Sequence, residues 1–389
     1  MSSFFSQIGT KGNPTFSQEA TPFGQYNPQY IQREQPKNER REILSLIGIG
    51  DPIVDITSEI DTQIIKKHNL KWGDTIFLDE NSNNVAVFDD LERMPEVRYI
   101  PGGSVQNTLR VTSWCLNMDP SNKNKFKISM LGCVGEDIYK EKIFNALKDA
   151  NVFPFLQILP GDKTSRCGVG IYRKERFLVT QLRASKKLSE DFIDQNLEKI
   201  LSHEAFIIEG YILQSKLEMC KKLCECFNRE KKPVILTLSA MFMIQYHLEK
   251  IMEIANKADI IVGNLEEAEE LSGEKGNSIK VIFEKIFTKL TPKDRPLVIT
   301  AGAKGAYCSK YDYQINQLNF ILQCFSKKVN NEDIVDLNGA GDSFLGGFLS
   351  EYLKGSSIYE CCRNGNEAAN VILHNVGCTF PKNMKFEKK

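Results

Sequence analysis

The chain has 389 residues, and its 50 Lys and Arg balance its 50 Asp and Glu, so overall charge draws it to neither nucleic acid nor an anionic membrane. Its length and its 41% hydrophobic content suit one large α/β domain, or a main domain with a smaller appendage. No run of about 20 apolar residues occurs, so no helical membrane span is expected.

Residues 1–18 lack the continuous apolar stretch of a secretory signal. The 11 cysteines are scattered without metal spacing, which predicts buried thiols in a reducing, cytoplasmic compartment rather than zinc or a disulfide framework. Residues 1–42 are polar, rich in Gly, Pro, Gln and Asn, and without a period; they read as a flexible N-terminal arm.

Order begins at Ile43. Residues 43–57, ILSLIGIGDPIVDIT, read as a buried strand that breaks at Gly48 and Gly50 and delivers Asp51 and Asp55 at its carboxyl end. A short helical pattern covers 60–69, and 75–91 is ambiguous between strand and helix. Pro101-Gly102-Gly103-Ser104-Val105-Gln106-Asn107 makes a tight turn into a buried helix marked by Leu109, Val111, Trp114 and Leu116. The glycine pair would let a small ligand approach the backbone, and Asn107 would face vicinal hydroxyls.

A strand at 126–135, a helix at 139–150 and a strand at 152–159 follow. Strands at 167–172 and 176–182, joined by a charged turn, suggest a small sheet standing off the main one, with Arg176 reaching anionic oxygens from it. Beyond a helix at 189–201, short apolar strands at 205–210, 234–238, 259–263 and 296–300 alternate with helices at 216–231, 245–256 and 279–290. Such alternation calls for βαβ units and a mostly parallel sheet. Residues 306–309 and 317–329 read as edge strands, and 344–352 and 358–374 as the closing helices.

Two stretches carry chemistry. Asn264 and Glu267, three apart, share a face at a helix start, where they either cap the helix or organise water around Mg²⁺. Residues 336–347 read DLNGAGDSFLGG, and Gly339, Ala340 and Gly341 put little side-chain bulk where the chain turns into a helix. Consecutive amides there suit an anion, and Asp342 beside them suits a base that takes a proton from an attacking hydroxyl. The turn at Ala301-Gly302-Ala303-Lys304-Gly305 is fit to pass a nucleotide.

In combination these segments resemble the ribokinase-like (PfkB) carbohydrate and nucleoside kinases, and among them are most similar to the eukaryotic adenosine kinases. The motifs carrying the resemblance are residues 102–107, Asn264 to Glu267, residues 336–344 and the closing Gly377-Cys378-Thr379-Phe380-Pro381. It runs from about Ile43 to the C-terminus. It implies a three-layer α/β sandwich with a mostly parallel sheet at 43–389, and a small β-lid built from discontinuous segments, roughly 51–57, 75–100 and 152–185. It also implies ATP as co-substrate, Mg²⁺ as cofactor and adenosine or a similar nucleoside as acceptor, in a monomer.

On this resemblance Asp342 would be the base for the 5′-hydroxyl, Gly339, Ala340 and Gly341 the anion hole, and Arg176 a lid arginine near the phosphates. Asp51, Asp55, Gly103, Ser104, Asn107 and Tyr211 would bind the acceptor. Thr300, Gly302, Gly305, Asn338 and Asn264 would line the nucleotide, with Asn264 and Glu267 holding Mg²⁺ through water. Four departures stand out: Asp51 where the family carries an amide, Arg166 and Cys167 where it is mostly small and apolar, Gln181 and Arg183 where it is Ala/Asn-rich, and Tyr211-Ile212-Leu213 in place of a Phe-rich piece. The implied phosphoryl-transfer half is intact, whereas the acceptor half has drifted.

Overall fold

The computed structural model describes residues 41–381 except 74, 79–82, 173–174 and 331, so the expected arm lies outside the described residues but for its last two. The chain opens with β1 (Ser45–Ile49), β2 (Ile53–Glu59), α1 (Thr62–Lys67), β3 (Thr75–Phe77), α2 (Ala86–Glu92) and β4 (Arg98–Gly102). Next come α3 (Ser104–Asn117), β5 (Lys127–Gly135), α4 (Ile138–Asp149), β6 (Val152–Leu159), β7 (Ser165–Tyr172) and β8 (Glu175–Gln181). The middle of the chain holds α5 (Glu190–Gln195), α6 (Leu197–Leu201), β9 (Ala205–Glu209), α7 (Leu213–Arg229), β10 (Val234–Thr237), α8 (Met241–Lys257) and β11 (Ile260–Asn264). It ends with α9 (Leu265–Ser272), α10 (Ile279–Lys289), β12 (Leu297–Thr300), the hairpin β13 (Ala306–Asp312) and β14 (Gln317–Cys324), α11 (Ala340–Leu353) and α12 (Ile358–Leu373).

Every residue of β1 and β9 is buried, which a strand permits only when both faces of its sheet are covered. The main sheet has nine strands in the order β14-β13-β12-β11-β10-β9-β1-β5-β6. All pairings from β12 to β6 are parallel, and β13 and β14 add an antiparallel edge. Alternate side chains go to opposite layers: Ile47, Ile49, Phe206 and Ile208 pack against α5 to α10. Leu46, Ile207, Ile235 and Ile260 pack against α3, α4, α11 and α12. This is the expected three-layer sandwich.

A second sheet, β3-β8-β7-β2-β4, stands over the carboxyl ends of the strands with its own core of Ile56, Phe88, Leu91, Phe177 and Val179. Its membership departs from expectation at one segment. Residues 152–159, expected with the lid, pair in parallel with β5 from Ile128↔Val152 to Gly135↔Leu159 and edge the main sheet.

Two further differences have local causes. The stretch read as one strand at 43–57 is two strands in two sheets, because the Asp51 N–H is taken by Glu209 and Pro52 has none to give. The helix expected at 189–201 breaks at Asn196, whose side-chain amide donates to the Phe192 carbonyl at 2.8 Å. All 11 cysteines are free thiols, and Cys226 alone among them is not buried. No helix among the described residues is long and apolar enough to cross a membrane.

Phe348 is fully buried on α11, within the cluster that joins α3, α11 and α12. Phe348→Ala is expected to cost about 3–5 kcal/mol of stability, read by urea denaturation; a loss below about 1 kcal/mol contradicts this packing.

Candidate active site

Strand order reverses around β1, whose neighbours are β5 on one side and β9 on the other. In open α/β sheets the crevice beyond such a reversal is where ligands bind. A cavity of about 330 Å³ lies there, between the main sheet and the lid. Asp51, Asp55, Gly103, Ser104, Asn107, Tyr211, Asn264, Glu267, Thr300, Asn338, Gly339, Gly341 and Asp342, all singled out from sequence, line it together. A second cavity of about 240 Å³ is lined by Thr300, Gly302, Gly305, Ala340 and Gly341, with Asn366 and Leu373. Thr300 and Gly341 belong to both, so the cavities meet at the small-residue turn. Asn338, expected beside the nucleotide, lines the first cavity instead.

Gly339 caps α11 with φ +79°, and a Cβ there would come within 2.8 Å of Cys378 Cβ, so this position requires glycine. Asp342 follows in the first helical turn. Its Oδ1 accepts from Ser104 Oγ at 2.8 Å and its Oδ2 from Asn107 Nδ2 at 3.0 Å. Ser104 and Asn107, expected to touch the acceptor, here aim the carboxylate. Burial raises the Asp342 pKa, and the bonds from Asn107 and Ser104 oppose that rise. Each oxygen keeps a free lone pair for an incoming hydroxyl. Buried Arg110 stands behind Asn107, donating to its Oδ1 at 3.5 Å and to the Cys378 carbonyl at 3.3 Å.

The glycine pair makes room inside the protein as well as at the cavity, which Gly103 lines. A Cβ on Gly102 would meet Asp55 Oδ1 at 2.3 Å, and one on Gly103 the Asp51 carbonyl oxygen at 2.3 Å. The space is therefore taken by Asp51 of the β1–β2 turn and by Asp55 of β2, which lie against the glycine pair that leads into α3. Burial, then the charges of Asp342 and Asp336, push the Asp55 carboxyl up to about 7, against the pull of Arg110. Asp51 is raised by burial, opposed by a hydrogen bond from Ser185 and the charges of Lys186 and Lys216. Glu209, at the end of β9, was not anticipated. It lines the cavity, and burial with the nearby Asp51 pushes it up to about 8. A carboxylate ending the otherwise apolar run AFIIE was the available signal.

Asn264 and Glu267 form a reciprocal cap on α9. Glu267 N donates to Asn264 Oδ1 at 2.8 Å, Asn264 N to Glu267 Oε2 at 3.0 Å, and Asn264 Nδ2 to Glu267 Oε1 at 2.8 Å. Burial pushes Glu267 up to about 7, with Glu266 and Asp342 adding to the rise that the Asn264 amide opposes. Arg176 lines neither cavity, because its guanidinium pairs with Asp336, whose Oδ1 also accepts from Asn338 N and whose Oδ2 accepts from Gly377 N. The lid arginine is thus engaged by the turn before Gly339. Arg166 is also turned away: it donates to Gln181 Oε1 at 3.2 Å and covers the Phe88 ring at 3.9 Å. Of the altered lid residues Cys167 reaches the cavity, with Thr180 Oγ1 donating to its sulfur at 3.3 Å. Tyr211 Oη donates to the Ser239 carbonyl at 3.1 Å, and its ring leans on Phe242, which also meets Phe77 from the lid.

A parallel-sheet body, a β-lid and a carboxylate held beside an amide turn define the ribokinase-like class of fold. Trypanosoma brucei brucei adenosine kinase shares it with a TM-score of 0.76 at 26% identity, over 86% of this chain and 100% of that one. Residues 66–384 match the pfkB family of carbohydrate kinases, and the chain belongs to that family. Within it the chain is 31% identical to the adenosine kinase of Dictyostelium discoideum over 87% of its own length and 97% of the relative's. Adenosine kinase 1 of Arabidopsis thaliana is 28% identical over 88% and 97%.

The sign of the Asp55 shift gives a test of this crowding. In the unfolded chain Asp55 loses its proton near the ordinary 3.8, whereas in the folded chain it keeps it up to about 7. The unfolded state therefore binds fewer protons across that window, and folding stability falls as pH rises through it. Asp55→Asn is expected to make the ligand-free protein more stable at pH 8 by roughly 1–3 kcal/mol, with the difference gone by about pH 4. Urea unfolding at both pH values checks this; a variant no more stable than wild type at pH 8 contradicts it.

Proposed function

We propose that the chain transfers the γ-phosphoryl group of ATP to the 5′-hydroxyl of adenosine, giving AMP and ADP. The observation that carries this reading is the meeting of two cavities at Gly341, with Asp342 held in the first turn beyond it. The larger cavity would take the nucleoside, with Asp55 accepting from ribose hydroxyls and Tyr211, Phe77 and Ile53 flanking the base. The second would take the ATP nucleoside beside Thr300, Gly302 and Gly305. Relatives that carry the name adenosine kinase over nearly their whole length support this choice of acceptor.

Asp342 would receive the proton of the 5′-hydroxyl as its oxygen attacks phosphorus. The amides of Gly339, Ala340 and Gly341, aligned with the α11 dipole, would stabilise charge on the transferring group. No rearrangement of the base is needed, since Ser104 and Asn107 already aim it. The lid would exclude water that otherwise takes the phosphoryl group.

The residues present also fit Mg²⁺. Glu267 is a buried carboxylate with a raised pKa, facing the cavity with Asn264, a setting that a nearby cation relieves. Among the described residues no group of three or more His, Cys, Asp or Glu side chains is placed to cage a metal. That suits a cation bound chiefly by phosphates and its own waters, which Asn264 and Glu267 would orient. Such a cation supplies neutralisation of phosphate charge.

Asp51 favours one second reading, a kinase for a different nucleoside or sugar, because a carboxyl group stands in the acceptor cavity. With Mg-ATP, the purified chain is expected to phosphorylate adenosine in preference to a panel of other nucleosides and sugars, with products identified by mass. Asp342→Asn is expected to lower kcat by about 10²–10⁴. Adenosine left unphosphorylated would overturn the acceptor, and an unchanged kcat in the variant would overturn the base.

A further inference from the structure

Glu209 has no part in the chemistry above, yet it is only 1% exposed and sits at the end of a central strand. Its Oε1 accepts from the N–H of Asp51 at 2.8 Å and its Oε2 from the N–H of Val105 at 3.1 Å. The surroundings are shaped to admit it. A Cβ on Gly50 would come within 2.9 Å of Oε1 and of Val105 Cβ, so the glycine leaves the volume that the carboxylate occupies.

The two amides belong to different functional parts. Asp51 opens the turn into β2, the lid strand that carries Asp55. Val105 lies in the first turn of α3, between Ser104 and the Asn107 that hold Asp342. A carboxyl group offers acceptors at both oxygens, whether ionised or sharing a proton with a neighbouring acid. A glutamine would turn its NH₂ against one of the two N–H donors, and an aspartate is one methylene too short to reach both. The buried acid is compensated by these two amides, and removing it would take that acceptor from both.

We propose that Glu209 is a positioning residue for phosphoryl transfer: by gripping the Asp51 and Val105 amides at once, it sets the spacing between the acceptor-binding strand and the base. The inference rests on the first cavity being the acceptor site. Glu209 touches no reacting atom in this scheme, because it acts through the β1–β2 turn and through α3. Its influence therefore falls on how the acceptor is placed against Asp342 and leaves the ATP cavity alone.

Steady-state kinetics on the full chain, with adenosine and Mg-ATP, compare wild type, Glu209→Gln and Glu209→Asp, with circular dichroism confirming the fold. Each variant is expected to lose about 100-fold in kcat/KM for the acceptor, the size of effect that a displacement of about 1 Å produces, with the KM for ATP unchanged. On an Asn107→Ala background, Glu209→Gln is expected to cost far less than it does alone, because both act through the first turn of α3. Loss of folded protein without mispositioning lowers apparent kcat alone and leaves the acceptor KM and the coupling with Asn107 untouched. Acceptor kcat/KM equal to wild type in a folded variant overturns the proposal, as does full additivity with Asn107→Ala. If Glu209→Gln does not fold, Glu209→Asp decides. If adenosine is not turned over, the adenosine reading falls by itself, and the same comparison on whichever acceptor the panel returns still decides the role of Glu209.

Discussion

The structure depends on holding a half-buried carboxylate, Asp342, in aim. Its two oxygens accept from Ser104 and Asn107, and Thr108 Oγ1 donates to its backbone carbonyl at 3.3 Å, so three residues of α3 fix one residue of α11. Everything around α3 then has to be firm. Glu209 holds its first turn, and Arg110 ties its second to the Cys378 carbonyl. Arg110 also covers Phe380, and Trp114 stacks on that ring at 4.9 Å while donating from Nε1 to the Pro381 carbonyl at 2.9 Å. The closing segment of the described chain is therefore a brace for α3, which gives the sequence Gly-Cys-Thr-Phe-Pro a physical purpose.

The cost of this arrangement is electrostatic. Asp51, Asp55, Glu209, Glu267 and Asp342 all line one cavity, and burial raises the pKa of each. They are kept apart by being given different partners: amides for Glu209, the reciprocal cap for Glu267, hydroxyl and amide donors for Asp342. Perturbed acids crowded in a cleft are a recognised mark of function. Arg176 fits this picture as a latch. By pairing with Asp336 it joins the lid to the turn that precedes the amide cradle, while Phe77 and Phe242 meet on the opposite rim.

The alternation of short apolar strands with longer amphipathic helices dictated the parallel sheet, because period-2 and period-3.6 patterns are local properties of the chain. Gly339 to Asp342, Asn264 with Glu267, and the glycine pair with Ser104 and Asn107 were legible for the same reason, since their spacing along the backbone already limits what they can do. Tertiary contact decided the rest. The assignment of residues 152–159 to the main sheet rests on pairing with β5, and the partners of Gly102 and Gly103 are aspartates about fifty residues away in sequence. Arg176 finds Asp336 across 160 positions, and Glu209 finds the Asp51 and Val105 amides across 158 and 104. No pattern in the sequence encodes such pairings directly, because what selects them is the cost of leaving buried polar groups unpaired, and only the folded sheet and lid bring the partners within reach of one another.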